Sequence, residues 1–366
     1  MSAPMQKRSR QHGFTLVEVM VSTVVAMFAT LAIMQSFAVS EGYRRTATSG
    51  GDATFSGAVA TYLLGRDLQV AGYGINTAAY LGCTVSGIDE SATPAQAIGF
   101  TLAPAQITPG ASSSVPDSIT VVSSNTGWLP APVSLTTSMA AATDNYQINN
   151  PFGVTAGDVL ILAQSGNNAC TLVQATNTPT SAAPGSQNTV RHASGAYSGG
   201  TARYNPSGGI GGAYPAGSVL IDMGASPTVN TYFVQNDTLM VTQQVAAPGQ
   251  PAQPVAANVV QLKAFYGKDT VGGGTITTWD NAAPASWNQV LAIRVAIVAR
   301  SAQPERQVDA NGNCSTTTTS PTVTWTDSGA SLSTTLDLTN DPNWKCYRYK
   351  VFHMTASLRN SIWTPS

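Results

Sequence analysis

Charge is scarce in this chain. Only 10% of its 366 residues are Asp, Glu, Lys or Arg, and the formal net charge is -1. That leaves no basic surplus for binding nucleic acid through phosphate contacts. Histidine is scarcer still: His12, His192 and His353 are the full set. No His-Glu-x-x-His, Gly-x-Ser-x-Gly, Walker A or Gly-x-Gly-x-x-Gly element occurs. Catalysis is therefore not expected, and neither is a metal or a cofactor. Asp309 to Cys314 (DANGNC) has a carboxylate and two Asn near a Gly. It lacks calcium-loop spacing and a closing glutamate, so a plain turn is expected there. No Cys-x-x-Cys pair exists, which removes the usual zinc and thioredoxin-like readings.

Cys83, Cys170, Cys314 and Cys346 are the four cysteines. The chain is long enough to bury a core without them. An even count with low charge and abundant Gly, Ser, Thr, Asn and Ala points to an exported protein carrying two disulfides. Four cysteines allow three connectivities; nearest-neighbour pairing, Cys83–Cys170 and Cys314–Cys346, is the expectation.

Proline is absent from residues 14 to 93. Lys7, Arg8, Arg10 and His12 form a short positive leader. Val19 to Ser40 then run without a charge. As a helix this stretch spans about 33 Å, enough for a bilayer core. Positive charge before it keeps that end cytoplasmic. No small-residue cleavage site follows cleanly, as a secretory signal would require. A glycine, Gly13, instead precedes the run. Cleavage after Gly13 would remove the leader, keep the helix and leave Phe14 as the new N-terminus. Glu18 would then be the fifth residue. A lone carboxylate in a membrane helix costs a few kcal/mol and normally has a partner. The free amine of Phe14 would supply one, within a helix or between neighbouring copies.

The stretch Gly13 to Glu18 (GFTLVE) resembles the processing site of type IV prepilins. The resemblance implies a dedicated prepilin peptidase that cuts between Gly13 and Phe14 and methylates the Phe14 amine. It also implies that Glu18 sets subunit register during assembly.

The helix is expected to continue past the membrane, with Gly42 and Gly50-Gly51 as weak points. Phe55, Val59, Tyr62, Leu63 and Val70 recur at helical spacing and predict an apolar stripe that packs on a sheet. Asp52 is a candidate cap and Gly72 a candidate terminator. From Tyr73 onward the helical period is lost. DSITVVSS, DVLILAQS, CTLVQAT, SVLIDMG, VVQLKAFYG and QVLAIRVAIVARS read as strands, with a last strand near Cys346 to Ala356. Tyr232 to Val241 reads as a hairpin around Gln235-Asn236-Asp237. In the clearest strand, Leu291, Ile293, Val295 and Ile297 share one face, with Arg294 and Arg300 on the other. Arg66, Asp67, Arg294 and Arg300 are candidates for ion pairs between helix and sheet. Residues 176–216, 246–257 and 315–335 are biased in composition and read as surface excursions. The expected domains are a leader (1–13), a membrane or filament-core half-helix (14–40), its amphipathic continuation (41–72) and a β-rich exported body (73–366).

GRDLQVAGY (65–73), GDVLIL (157–162), LKAFYGKD (262–269), VLAIRVAIVARS (290–301) and CYRYKVFHMTASLRN (346–360) are similar to segments of PilW-type minor pilins, in the same order. The proline that this family usually carries near Ala356 or Ser357 is absent. The resemblance implies an α+β, pilin-like fold, with a long N-terminal helix on an antiparallel sheet and long loops. It implies a structural minor subunit of a type IV pilus that primes assembly and sits at or near the tip. Its partners would be other minor pilins, the major pilin, a PilY-type tip adhesin and the prepilin peptidase. It would reside in the bacterial inner membrane with its body in the periplasm, then in the extracellular pilus. A J-like pseudopilin of type II secretion and a surface-binding adhesive module are the alternatives.

Overall fold

The computed structural model describes residues 13–75, 78–127, 132–179, 188–305, 308–309, 311–326 and 331–358, with the backbone alone at positions 45, 46, 48 and 49. The basic leader and the Arg359-Asn360 end of the last resembling segment lie outside these residues. The chain divides into two units, Met1–Gly51 and Asp52–Ser366. A single helix, α1, runs Leu16–Val70 and contributes to both.

In the first unit the helix carries no charge from Val19 to Ser40. Leu16–Arg44 is long and apolar enough to cross a membrane, and none of it is buried within the chain. Three of its hydroxyls bond back to the helix itself: Ser22 donates to the carbonyl of Glu18, Thr23 to that of Met20 and Thr30 to that of Met27. That leaves no open polar group on those side chains to oppose burial in lipid or against apolar neighbours.

The helix passes through Gly50 and Gly51 without a break, so Asp52 sits in its interior and caps nothing. It ends at Val70. Gly72 then adopts a left-handed conformation (φ 79°) and donates its N–H to the carbonyl of Val122.

The expected stripe is corrected by the structure. Phe55 (73% exposed), Tyr62 (69%) and Val70 (49%) face outward. The buried face carries Ala53, Gly57, Ala60, Leu64, Asp67, Leu68 and Ala71. The period is helical in both readings, but the phase differs. Small residues face the sheet because sheet side chains approach closely: a Cβ on Gly57 would overlap the Phe352 ring, and one on Gly65 would lie 3.1 Å from Met354 Sδ. Following the largest apolar residues therefore selects the wrong face.

The second unit holds three main sheets. The first has six strands in the order 96–101, 84–89, 169–174, 159–163, 219–222, 133–134. Residues alternate between two cores. Val159, Ile161, Leu172 and Ile221 enter one; Leu160, Leu162, Val173 and Leu220 enter the other. Burial on both faces explains the unbroken apolar run VLILA. An antiparallel sheet is the expectation, and one pairing departs from it: Thr84–Ser86 pairs in parallel with Ala169–Thr171.

The second sheet orders 253–257, 238–243, 228–235, 118–123, 105–108. Its hairpin turns at Asn236 and Asp237, both at positive φ (48° and 55°), the tight geometry that matches strand twist. The third sheet orders 278–280, 259–268, 290–300, 349–357. Residues 60–68 of α1, with Ala71 just beyond its end, share one core with the second and third sheets, built from Ala60, Leu64 and Leu68 with Ile119, Tyr232, Leu262, Ile293 and Ile297.

The compositionally biased stretches are not wholly irregular. Short ladders occur at Thr189–Val190, Gly195–Tyr197 and Gly200–Ala202, and strands at Gln253–Ala257, Thr322–Trp325 and Leu332–Thr335. The last two form a hairpin whose Val323 and Trp325 cover the second face of the third sheet, over Ala296 and Val298. The structure pairs Cys83 with Cys170 and Cys314 with Cys346. In the chain-entropy account, the second closure over 32 residues contributes about 4 kcal/mol.

Candidate functional site

The N-terminal end of α1 is built by local chemistry. Thr15 precedes the first helical residue. Its hydroxyl accepts the Glu18 backbone N–H at 3.3 Å, while the Glu18 carboxylate accepts the Thr15 backbone N–H at 2.9 Å. The Thr15 hydroxyl also donates to the same carboxylate oxygen at 3.0 Å. This is a capping box, and it satisfies two donors that a helix start otherwise leaves open. Sequence reading placed Glu18 correctly near the helix start but missed Thr15, although Thr-x-x-Glu ahead of an apolar run is its signature. Gly13 and Phe14 are fully exposed just ahead of the box. No side chain would crowd a Cβ at Gly13 within 4 Å. The strip of the helix beside Glu18 carries the small residues Ser22, Ala26 and Ala29 among Val17, Val21 and Val25.

The four residues considered for ion pairs act differently from that expectation. Asp67 is buried. Its carboxylate accepts from Tyr232 Oη at 2.7 Å and Asn230 Nδ2 at 2.9 Å, and lies 3.2 Å from the exposed Arg66 guanidinium. It therefore joins α1 to the second sheet by hydrogen bonds to neutral partners. Arg300 bridges Asp237 and Asp341, each at 2.7 Å. Arg294 is 1% exposed on the face away from α1, with its guanidinium 3.8 Å above Trp279 and 5.6 Å from Trp325. The hairpin at 322–335 buries it.

Neither described histidine sits in a catalytic arrangement. His192 stacks on Tyr146 with ring centroids 4.3 Å apart and shares a 2.7 Å hydrogen bond between Nε2 and the Asp144 carbonyl. Burial lowers its pKa. His353 meets Trp325 edge-on. Asp309 accepts from the backbone N–H groups of Asn311 and Asn313, and that bonding lowers its pKa; the segment is a closed turn. Among the described residues no group of three or more His, Cys, Asp or Glu is arranged to hold a metal ion.

Comparison with known families finds two matches. Residues 8–34 match the prokaryotic N-terminal methylation motif, which contains Gly13, Phe14 and Glu18. Residues 228–360 match the type IV pilus-assembly protein W family. That span takes in the hairpin of the second sheet, the whole third sheet and three of the five resembling segments; GRDLQVAGY and GDVLIL lie outside it. No curated protein and no solved structure shows significant similarity. The motif and the apolar helix fit a membrane-anchored pilin. Membership in pilus assembly implies prepilin processing and contact with other pilus components. The long N-terminal helix, the strand-rich body and the two family matches together support a PilW-type pilin-like protein, a minor pilin related to type IV pili.

Proposed function

We propose that this chain primes type IV pilus assembly and sits at or near the pilus tip with other minor pilins. The observation that carries the reading is the joining of a prepilin-type N-terminus (8–34) and a PilW-type C-terminal region (228–360) in one chain. The prepilin peptidase cuts after Gly13 and the new Phe14 amine is methylated. Residues 14–40 first anchor the protein in the inner membrane and later enter the filament core, with the body exported to the periplasm and then displayed on the pilus. The major pilin, other minor pilins and a PilY-type adhesin are its partners.

Glu18 has two states in this scheme. Before cleavage its carboxylate is held by Thr15. Cleavage creates an amine four residues away, where a positive charge competes for the same carboxylate. The small residues beside Glu18 allow a neighbouring helix to approach closely.

The test is the mass of the N-terminal peptide from membranes and from sheared pili. A peptide beginning at methylated Phe14 in both fractions is expected. A peptide retaining Met1 in both would remove the prepilin pathway. Processed protein absent from pili, in cells whose secretion fails on deletion, would move the chain to a secretion pseudopilus.

A further inference from the structure

Strand Tyr349–Ser357 forms an edge of the third sheet and pairs over nine residues with Val290–Arg300, without a register shift. The bonds just beyond this ladder fix which groups face inward. Leu358 donates to the Leu291 carbonyl, and Ser301 donates to the Arg348 carbonyl. Even-numbered residues therefore exchange bonds with the central strand. Antiparallel alternation turns the N–H and C=O groups of Tyr349, Val351, His353, Thr355 and Ser357 to the open side. Among the described residues no backbone group bonds to them there.

Proteins usually blunt such edges with short strands, proline, bulges or a cover. Four of the other five edges of the three main sheets follow that rule. Val133–Ser134 has two residues, Thr278–Asp280 three and Ala105–Thr108 four. Gln253–Ala257 contains Pro254 and meets a register shift. Gln96–Thr101 has six residues, with Gly99 among them. Tyr349–Ser357 is the longest edge strand among the described residues, and Lys350 is its one permanent charge.

We propose that this edge receives an extended strand from a different subunit of the filament, by addition to the sheet. The inference rests on the pilus reading and names one of its contacts. A second copy is a poorer occupant for a geometric reason. Gly57 faces Phe352 and Gly65 faces Met354, so α1 and this strand advance in the same sense. Two copies paired antiparallel across the edge would have their bodies, with the helix segments after Asp52, advancing in opposite senses. Bodies repeated along one filament by the same contact share one polarity, and this two-fold pairing would oppose it. The incoming strand meets Phe352 and Met354 on the helix side, and Val351 and His353 on the side of Trp325. It should be apolar at the positions beside Phe352 and Met354.

Val351→Pro and Thr355→Pro in the full-length chain each delete an outward N–H and leave the inward ladder intact. Losing a strand-pairing bond of about 1.4 kcal/mol lowers occupancy about tenfold. The expected result is at least that loss of incorporation into sheared pili, at normal membrane levels, with Thr355→Val unaffected. Normal incorporation of both proline variants overturns the proposal. Should either variant fail to accumulate, amide exchange of the wild-type chain decides. The amides of residues 351, 353 and 355 should exchange about tenfold more slowly in pili than in detergent, and equal rates overturn the proposal. Wild-type protein missing from pili would sink the functional reading and this inference together. Wild-type protein present with indifferent proline variants sinks the inference alone. A Thr355→Cys variant that forms a disulfide-linked homodimer would place a second copy at the edge and overturn the assignment to a different subunit.

Discussion

The carboxylate of Asp67, on the buried face of the helix, accepts a hydrogen bond from the hydroxyl of Tyr232 at 2.7 Å. Tyr232 lies at the centre of the strand Thr228–Gln235. The pair ties the helix to the second sheet where both side chains are shielded from water. Burial, and then the Asp67 carboxylate, push the ionisation of the Tyr232 hydroxyl well up, so it remains a donor at any physiological pH.

Removing one side of this contact should be costlier when the carboxylate goes. Tyr232→Phe deletes one bond and should lower stability by about 1 kcal/mol. Asp67→Ala leaves Tyr232 and Asn230 without their acceptor and should cost about 2 kcal/mol or more. Urea midpoints of the full chain in detergent check this. Equal, negligible effects would show that water replaces the carboxylate.

The two faces of the helix should respond oppositely to size. Gly57→Val drives a side chain into the Phe352 ring and should cost about 2 kcal/mol or more. Phe55→Ser, on the exposed face, should change stability by less than about 0.5 kcal/mol. Thermal unfolding of the two variants gives the comparison. A destabilised Phe55→Ser would restore the stripe read from sequence.

Arg294 is buried with its guanidinium over Trp279 and near Trp325. Arg294→Ala should therefore cost about 3 kcal/mol, combining lost stacking with lost packing of its stem. Arg294→Lys should recover only part of that, because an ammonium does not stack as a plane. Tryptophan fluorescence on urea titration reads both stability and the local change.

Asp222 gives a pH dependence with a definite sign. Burial raises its pKa from 3.8 to about 6, and the nearby Asp158 adds to the shift against the hydrogen bonds from Gly224 and Thr126. The folded state thus holds this proton more tightly than the unfolded chain. Its contribution is fully present below about pH 4 and is lost as pH rises through about 6. The loss is of order 2 to 3 kcal/mol. Asp222→Asn should be more stable than the parent at pH 7 and should flatten that part of the stability profile. A parent and variant with parallel profiles from pH 4 to 7 would refute the assignment.

Local chemistry made much of this protein legible in its sequence. The uncharged run after Gly13, the strands from Ser118 to Ser357 and the turn at Asn236-Asp237 each follow from hydropathy, periodicity or backbone preference within a few residues. The position of Glu18 beside a helix start was legible for the same reason, and so was its Thr15 partner, had the Thr-x-x-Glu spacing been weighed. Other features depend on residues far apart. Which helix face is buried turned on how near Phe352 and Met354 come to Gly57 and Gly65. The burial of Arg294 turned on a hairpin some 30 residues further along the chain folding back over it. The open edge at Tyr349–Ser357 exists because that strand ends its sheet. Sequence determines which residues form strands and helices; the order of strands, and hence which backbone groups remain unpaired, is decided only when distant segments compete for the same hydrogen bonds.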